Sequence, residues 1–569
     1  MIKKVLLSCI IFITFLQESQ AQFSRWIVVF TDKNNSPYSI RKPNEYLSHA
    51  ALVRRYKYKI PIDETDLPVN PDYINQVVAQ GAVVYISQSK WLNQALISCN
   101  SVATINKIKA LPFVKGASGV RSLVELIDNP VEKFKETLSS KSEAKIASAP
   151  AKENRYNYGN AYGQVHIHNG EFLHNKGFTG KGMKIAILDG GFFKYKNIKA
   201  FDSARAGNRF LGEKDFVSFD GSVNEDDSHG EYCLSVIGSN VPGVMVGTAP
   251  EASFFLMRTE DVATEMPIEE HNWVAGAEYA DSAGADLITS SLGYTRFDNA
   301  TLDHSYNDFY KNTTMCSLGA AYAAQKGMIV TNSAGNSGGD SWKYLGFPSD
   351  ADSVCAVAAT DVNGNIAYFS SYGYPGKVKP NIASVGSNTA VYTSFGPSYA
   401  SGTSFSNPNI NGLIACLWQA FPEFNNAEIL KAVYASSDRV RNPDNRYGYG
   451  IPNMKRAYII LRNQRNQNKY EKDKWMHVIQ QNASAISVEF AAQIEGIVTV
   501  KLLDQVGKVL EVKTLTAEEQ EEYTVQFKNN TQIGSIQYSD GVSEQILPVK
   551  YNKMLQHYPV HNNVKEEVQ

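Results

Sequence analysis

For a chain of 569 residues, six cysteines are few. They are too sparse for a disulfide scaffold, and no two have zinc-ligand spacing. Charge is nearly balanced, with 55 Lys and Arg against 57 Asp and Glu. A formal net charge of −2 gives no electrostatic reason to expect nucleic acid as a partner. After the N-terminus no segment approaches the ~20 apolar residues of a membrane span. What remains is an ordinary globular composition, 43% hydrophobic and 20% charged, long enough for several domains.

The first 21 residues stand apart. Lys3 and Lys4 precede an apolar run from Val5 to Leu16, and Ser19-Gln20-Ala21 is a small-x-small cleavage site. This is the pattern of a secretory signal peptide, so the chain is expected to be exported: secreted, at the cell surface or periplasmic. Cys9 leaves with that segment. Among Cys233, Cys316, Cys355 and Cys416 three pairings are open, as are free thiols.

Three patterns follow. From 22 to 128, strand candidates at 25–30, 83–87 and 94–98 and helical stretches at 46–59 and 102–111 form a small α+β unit. Residues 129–160 lose their apolar periodicity and read as an exposed linker. From 161 to 462, buried strands at 184–188, 254–258, 286–290, 328–331 and 354–358 alternate with helices such as 273–283 and 318–325. That alternation implies a parallel sheet covered on both faces, with functional residues beyond the C-terminal strand ends. Residues 463–569 contain short β segments at 485–490, 496–503 and 522–527, hence a small β domain, and end in a polar tail.

Within the α/β part, Ser401-Gly402-Thr403-Ser404 opens a helix whose Ile410, Leu413, Ile414 and Leu417 recur at helical spacing. A serine there sits among unpaired backbone N–H groups and the positive end of the helix dipole, which favour negative charge beside its hydroxyl. Taken alone, Thr403 is as readily a helix cap. Three other motifs change the weighing. Asp189 ends the apolar run Lys184-Ile185-Ala186-Ile187-Leu188, where a carboxylate can orient a histidine. His229 follows Ser228 and opens an apolar helix. Asn336 lies in a glycine-rich loop after a buried strand, where its amide can donate to an oxyanion. The order Asp, His, Asn, Ser, and the lack of a second glycine after Ser404, exclude a nucleophile elbow.

At these residues the chain resembles the subtilisin-like serine proteases. The likeness covers roughly residues 175–458. It includes Ile187-Leu188-Asp189-Gly190, His229-Gly230, Val246-Gly247-Thr248-Ala249-Pro250, Ser291-Leu292-Gly293, the Asn336 loop, Gly402-Thr403-Ser404 and Gly448-Tyr449-Gly450-Ile451-Pro452-Asn453. It departs at Gly190, at Glu231 and at Phe405-Ser406, where the family commonly has threonine or serine, threonine, and Met-Ala. None of these removes a catalytic atom.

The resemblance implies an α/β subtilisin-like fold with a small α+β prodomain before it and a small β domain after it. It also implies a serine endopeptidase without cofactor or metal. Ser404 is then the nucleophile, His229 the base, Asp189 its orienter and Asn336 an oxyanion donor. Ser291, Leu292 and Gly293 form an edge for an extended protein or peptide substrate. Ser333, Ala334 and Gly335 wall a pocket, and Gly346 leaves room at its base for a large apolar side chain. Cys233, one turn after His229, is expected to be a buried core thiol. The 22–128 unit resembles subtilase propeptides, which act as intramolecular chaperone and inhibitor. The C-terminal part resembles β modules of exported bacterial proteins, type IX sorting domains among them, without a diagnostic motif. The alternative to an enzyme is a subtilase scaffold that binds peptides without cleaving them.

Overall fold

The computed structural model describes residues 23–122, 133, 138–139, 154–469, 476–481, 484–492, 496–517, 522–528, 532–541 and 544–549. The expected signal peptide, most of the expected linker and the polar tail lie outside these residues. Two compact units divide between residues 458 and 459.

The first unit begins with an antiparallel sheet in the order β2-β3-β1-β4. Its strands are β1 (Phe23–Phe30), β2 (Val84–Ser89), β3 (Gln94–Ser98) and β4 (Val114–Ser122), and its helices are α1 (His49–Lys57), α2 (Pro71–Val78) and α3 (Val102–Lys109). Val28, Phe30, Ile97, Ile105 and Ile108 are buried together, the helical period of α3 facing the alternating side chains of the sheet. The strand β4 has no apolar alternation in its sequence Val-Lys-Gly-Ala-Ser-Gly-Val-Arg-Ser. It exists through pairing with β1, in a register broken by three irregularities.

The short helices α4 (Tyr162–His166) and α5 (Gly170–Asn175) lead into the central sheet. Its first strand is β5 (Lys184–Asp189). There follow α6 (Asp202–Ala206), β6 (Phe210–Asp215), α7 (His229–Gly238), a two-stranded ribbon of β7 (Asn240–Val241) and β8 (Met245–Val246), β9 (Ser253–Arg258) and α8 (Ile268–Ala283). Then come β10 (Leu287–Ser290), α9 (Met315–Gln325), β11 (Ile329–Ser333), β12 (Val354–Thr360), β13 (Ile382–Val385), the hairpin β14 (Thr389–Thr393) and β15 (Gly396–Ala400), and the helices α10 (Thr403–Ala420), α11 (Asn426–Ser436) and α12 (Met454–Lys469). Seven strands pair in parallel in the order β13-β12-β11-β10-β5-β9-β6. Burial on both faces explains their unbroken apolar runs: all of β10, β11, β12 and β13 is buried. The helices α8 and α9 pack together on one face, and α7 and α10 on the other. The chain order reverses at β5, so the crevice beyond Asp189 is where a doubly wound sheet places its ligands.

The α+β unit docks on α8. Buried Glu278 accepts from the backbone N–H groups of Lys90 and Trp91, each at 2.9 Å. Asp281 pairs with Arg54 at 2.5 Å and Arg55 at 2.9 Å. Burial works to raise the Asp281 pKa, but Lys90, Arg54 and Arg55 outweigh it and hold the carboxyl below its usual range. His271 of the same helix lies between Ser87 Oγ, 2.9 Å from Nε2, and Gln94 Nε2, 3.0 Å from Nδ1.

The second unit holds two antiparallel sheets. One contains β16 (Met476–Gln481), β17 (Ala485–Ala491) and β20 (Glu522–Lys528). The other contains β18 (Gly496–Asp504), β19 (Val509–Ala517), β21 (Ile533–Ser539) and β22 (Glu544–Pro548). Alternate residues Val498, Val500 and Leu502 of β18 bury with Ile486, Val488 and Phe490 of β17.

Candidate active site

Asp189, His229, Asn336 and Ser404 all lie at or beyond the C-terminal ends of the parallel strands. Asp189 is the last residue of β5, and its side chain is fully buried. The N–H of Thr259, just beyond the neighbouring β9, bonds to its backbone carbonyl at 2.9 Å. Its Oδ1 lies 2.8 Å from Nδ1 of His229. His229 is the first residue of α7, and its own N–H is taken by Asp227 Oδ1 at 2.7 Å. Gly230 permits this approach: a Cβ there would lie 2.5 Å from the Gly191 carbonyl and 2.7 Å from the Asp189 Cβ. Burial disfavours the imidazolium, but the Asp189 carboxylate together with the Cys233 sulfur outweighs it and lifts the His229 pKa well above its ordinary value.

Ser404 sits in the first turn of α10, against α7. Its carbonyl accepts from Ser291 Oγ at 2.8 Å and from Cys233 Sγ at 3.3 Å, and the ring of Phe405 lies 5.9 Å from that of His229. Cys233 is a fully buried thiol 4.0 Å from His229 Nδ1, and burial pushes its pKa up to about 11. The other four cysteines of the described residues, Cys99, Cys316, Cys355 and Cys416, are also buried free thiols.

Asn336 is oriented by the residue before the serine. Its Oδ1 accepts from both the backbone N–H and the hydroxyl of Thr403, each at 2.9 Å. Because a backbone N–H can only donate, this fixes which end of the amide is oxygen and turns Nδ2 to the opposite side. The Thr403 hydroxyl also accepts from Gly335 N–H at 3.1 Å.

The expected pocket residues gather around this centre. Ser291, Leu292 and Gly293 continue β10 past its end, while Ser333 is the last residue of β11 and Ala334 and Gly335 follow it. Gly346 packs against Gly293: a Cβ at Gly346 would meet the Gly293 Cα at 3.3 Å, and Tyr294 and Phe347 exchange backbone bonds of 2.9 and 3.2 Å. The glycine at 346 therefore lets two chain segments approach.

Sequence reading missed Thr403 and Ser291 as positioning groups and missed a cluster of three buried carboxylates, Glu260, Glu265 and Glu269, in the loop after β9 and the first turn of α8. Tyr294, next in line after Gly293, donates its hydroxyl to Glu260 Oε1. The only sequence signal was the acidic doublet Glu269-Glu270 at the start of α8. Two described residues of the stretch expected as an exposed linker make specific contacts, and of these Ser139 is exposed. The side chain of Lys133 is 6% exposed and sits among those carboxylates. Ser139 exchanges backbone bonds of 2.8 and 2.9 Å with Tyr399, on the strand that runs into Ser404.

The same stretches match known proteins. Residues 180–450 match the Subtilase family, and residues 25–141 match the Peptidase S8 propeptide domain, Bacteroidota. Thermitase of Thermoactinomyces vulgaris is 30% identical over 287 residues, covering 49% of this chain and 89% of its own. Subtilisin Savinase of Lederbergia lenta is 28% identical over 288 residues, 50% of this chain and 93% of its own. M-protease of Shouchella clausii (strain KSM-K16) is likewise 28% identical, and there the match spans 66% of the relative's length. The chain belongs to the subtilase family and carries a Peptidase S8 propeptide domain of the Bacteroidota type ahead of its peptidase domain.

Proposed function

We propose that the protein is an exported serine endopeptidase, made as a precursor, that cleaves peptide bonds through an acyl-enzyme. The observation that carries this reading is the 2.8 Å contact between Asp189 Oδ1 and His229 Nδ1, beside a serine in the first turn of α10. In this reading the His229 Nε2 takes the Ser404 proton as Oγ attacks the scissile carbonyl. Asp189 holds the ring with Nδ1 protonated and stabilises the imidazolium. The developing oxyanion is met by the Ser404 N–H and by Asn336 Nδ2, whose direction Thr403 fixes. The imidazolium then gives its proton to the leaving amine, and water repeats the sequence on the ester. No metal or cofactor enters these steps.

The substrate would lie extended along Ser291-Leu292-Gly293, with its residue before the cut facing Ser333, Ala334, Gly335 and Gly346, where a large apolar side chain is accepted. Residues 1–21 direct export. The α+β unit acts as inhibitor until the chain after it is cut. The test is maturation of the full chain followed by N-terminal sequencing. Wild type should lose its N-terminal part and then hydrolyse peptides, whereas Ser404→Ala should keep it and remain inert. A Ser404→Ala chain that matures alone and cleaves at the wild-type rate would end this reading.

A further inference from the structure

The three carboxylates Glu260, Glu265 and Glu269, two in the loop after β9 and one in the first turn of α8, have no part in the steps above. Glu260 follows Thr259, whose N–H is bonded to the Asp189 carbonyl, so the cluster adjoins the end of β5. The side chains of Glu260, Glu265 and Glu269 are 3%, 7% and 0% exposed. They are built into place. Glu269 accepts from the N–H groups of Asp261 and Met266, each at 2.9 Å, Glu260 accepts from the Tyr294 hydroxyl, and the Glu265 N–H donates to Asp298 at 2.9 Å.

A cation already occupies the cluster. The ammonium of Lys133 lies 3.2 Å from Glu260 and 3.4 Å from Glu265, and contacts Glu269 directly. Burial works against its charge, but Glu269, Glu260 and Glu265 outweigh this and hold the lysine above its ordinary range. Lys133 belongs to the chain that precedes the peptidase domain. Once that chain is cut and leaves, three carboxylates whose oxygens lie within 4.8 Å of one another keep no cation from it, and like charges held so close repel. The site is therefore complete only when a basic side chain enters from outside the peptidase domain.

Its position fixes which side chain that is. Ser291 touches Ser404, so a substrate residue at the cut lies opposite Ser291. In an antiparallel strand the pairing then runs outward through Leu292 and Gly293 to Tyr294, the fourth residue with Ser291 counted as the first. Tyr294 holds Glu260. We infer that Glu260, Glu265 and Glu269 form a specificity pocket for a lysine or arginine side chain at the fourth substrate residue before the cut, filled in the precursor by Lys133. This rests on the endopeptidase reading and names a substrate class for it.

The test uses the matured enzyme and internally quenched peptides of one sequence, with lysine placed in turn at each of the second to sixth residues before the cut, against norleucine at the same place. The expected result is a kcat/KM ratio of lysine to norleucine of at least about tenfold at the fourth residue, falling below about threefold in Glu265→Gln and in Glu269→Gln. The ratio cancels any general loss of active enzyme. Should those variants fail to accumulate, the full chain serves instead: Lys133→Met should slow loss of the N-terminal part at least about fivefold, and Lys133→Arg should restore it. Ser404-dependent cleavage without a lysine preference at any position, or with one that survives both Gln variants, overturns the pocket and leaves the endopeptidase standing. Absence of Ser404-dependent cleavage of every peptide overturns both.

Discussion

The side-chain carbonyl of Asn336 accepts from the Thr403 backbone N–H at 2.9 Å, one residue before Ser404. The helix of the proposed nucleophile thereby aims the amide that would serve its oxyanion. Replacing Asn336 by Ala should lower kcat ~10²–10³-fold with little change in KM, a figure carried over from subtilisin, a relative. Thr403→Val, which keeps the backbone donor and loses the hydroxyl, should cost less. Steady-state kinetics on one peptide checks both, and an Asn336→Ala enzyme of unchanged kcat would remove the amide from the mechanism.

The rate should climb with pH. In the proposed mechanism His229 acts as base only when neutral, and against the effect of burial Asp189, with Cys233, holds its pKa above the ordinary 6.5. Activity is therefore absent on the acid side and appears as the pH passes the raised pKa. A pH profile of kcat/KM should show its acidic limb displaced to the alkaline side of 6.5. A flat profile from pH 5 to 9 would contradict the arrangement.

Glu231 lies two residues after His229, and neither of its carboxyl oxygens finds a hydrogen-bond partner among the described residues. Burial pushes its pKa up to about 9. The folded chain keeps the proton while the unfolded chain loses it above about 4.5, so stability is lost as pH rises between these values and levels off above about 9. Glu231→Gln should leave the apparent Tm unchanged near pH 4 and raise it by roughly 5 °C or more at pH 8. Scanning calorimetry at the two pH values decides it, and an equal shift at both would show that titration is not the cause.

Acid should loosen the α+β unit from the peptidase domain. His271 on α8 accepts from Gln94 through Nδ1, which requires a neutral ring, and burial lowers its pKa to about 4. Released, the ring would return toward 6.5. The contribution is whole above that value and is lost as pH falls toward 4, by about 3 kcal/mol at pH 4. Dissociation of the cleaved N-terminal part, followed by gel filtration between pH 7 and 4, should accelerate on acidification. His271→Gln should weaken this dependence, and an unaltered dependence in that variant would place the sensor elsewhere.

The central sheet was legible because strands buried on both faces must be apolar throughout, as in 184–188 and 354–358. The four candidate site residues were legible because each stands where such a run stops or a helix begins. Edge elements were harder. β4 and the edge strand β6, with Leu211 exposed, owe their form to pairing partners far away in sequence. The acidic pocket was invisible for another reason. Glu260, Glu265 and Glu269 have the spacing of an ordinary polar loop, and Lys133 that of a solvated linker. Only the fold brings the cation to the carboxylates.

The most direct measurement of the central claim is labelling of the matured protein with a fluorophosphonate, which reacts with a serine only when a neighbouring base activates it. Labelling at Ser404 that disappears in Ser404→Ala and falls sharply in His229→Ala is the expected result. Matured protein that binds peptide but takes up no label at Ser404 would contradict the account and leave a peptide-binding scaffold in its place.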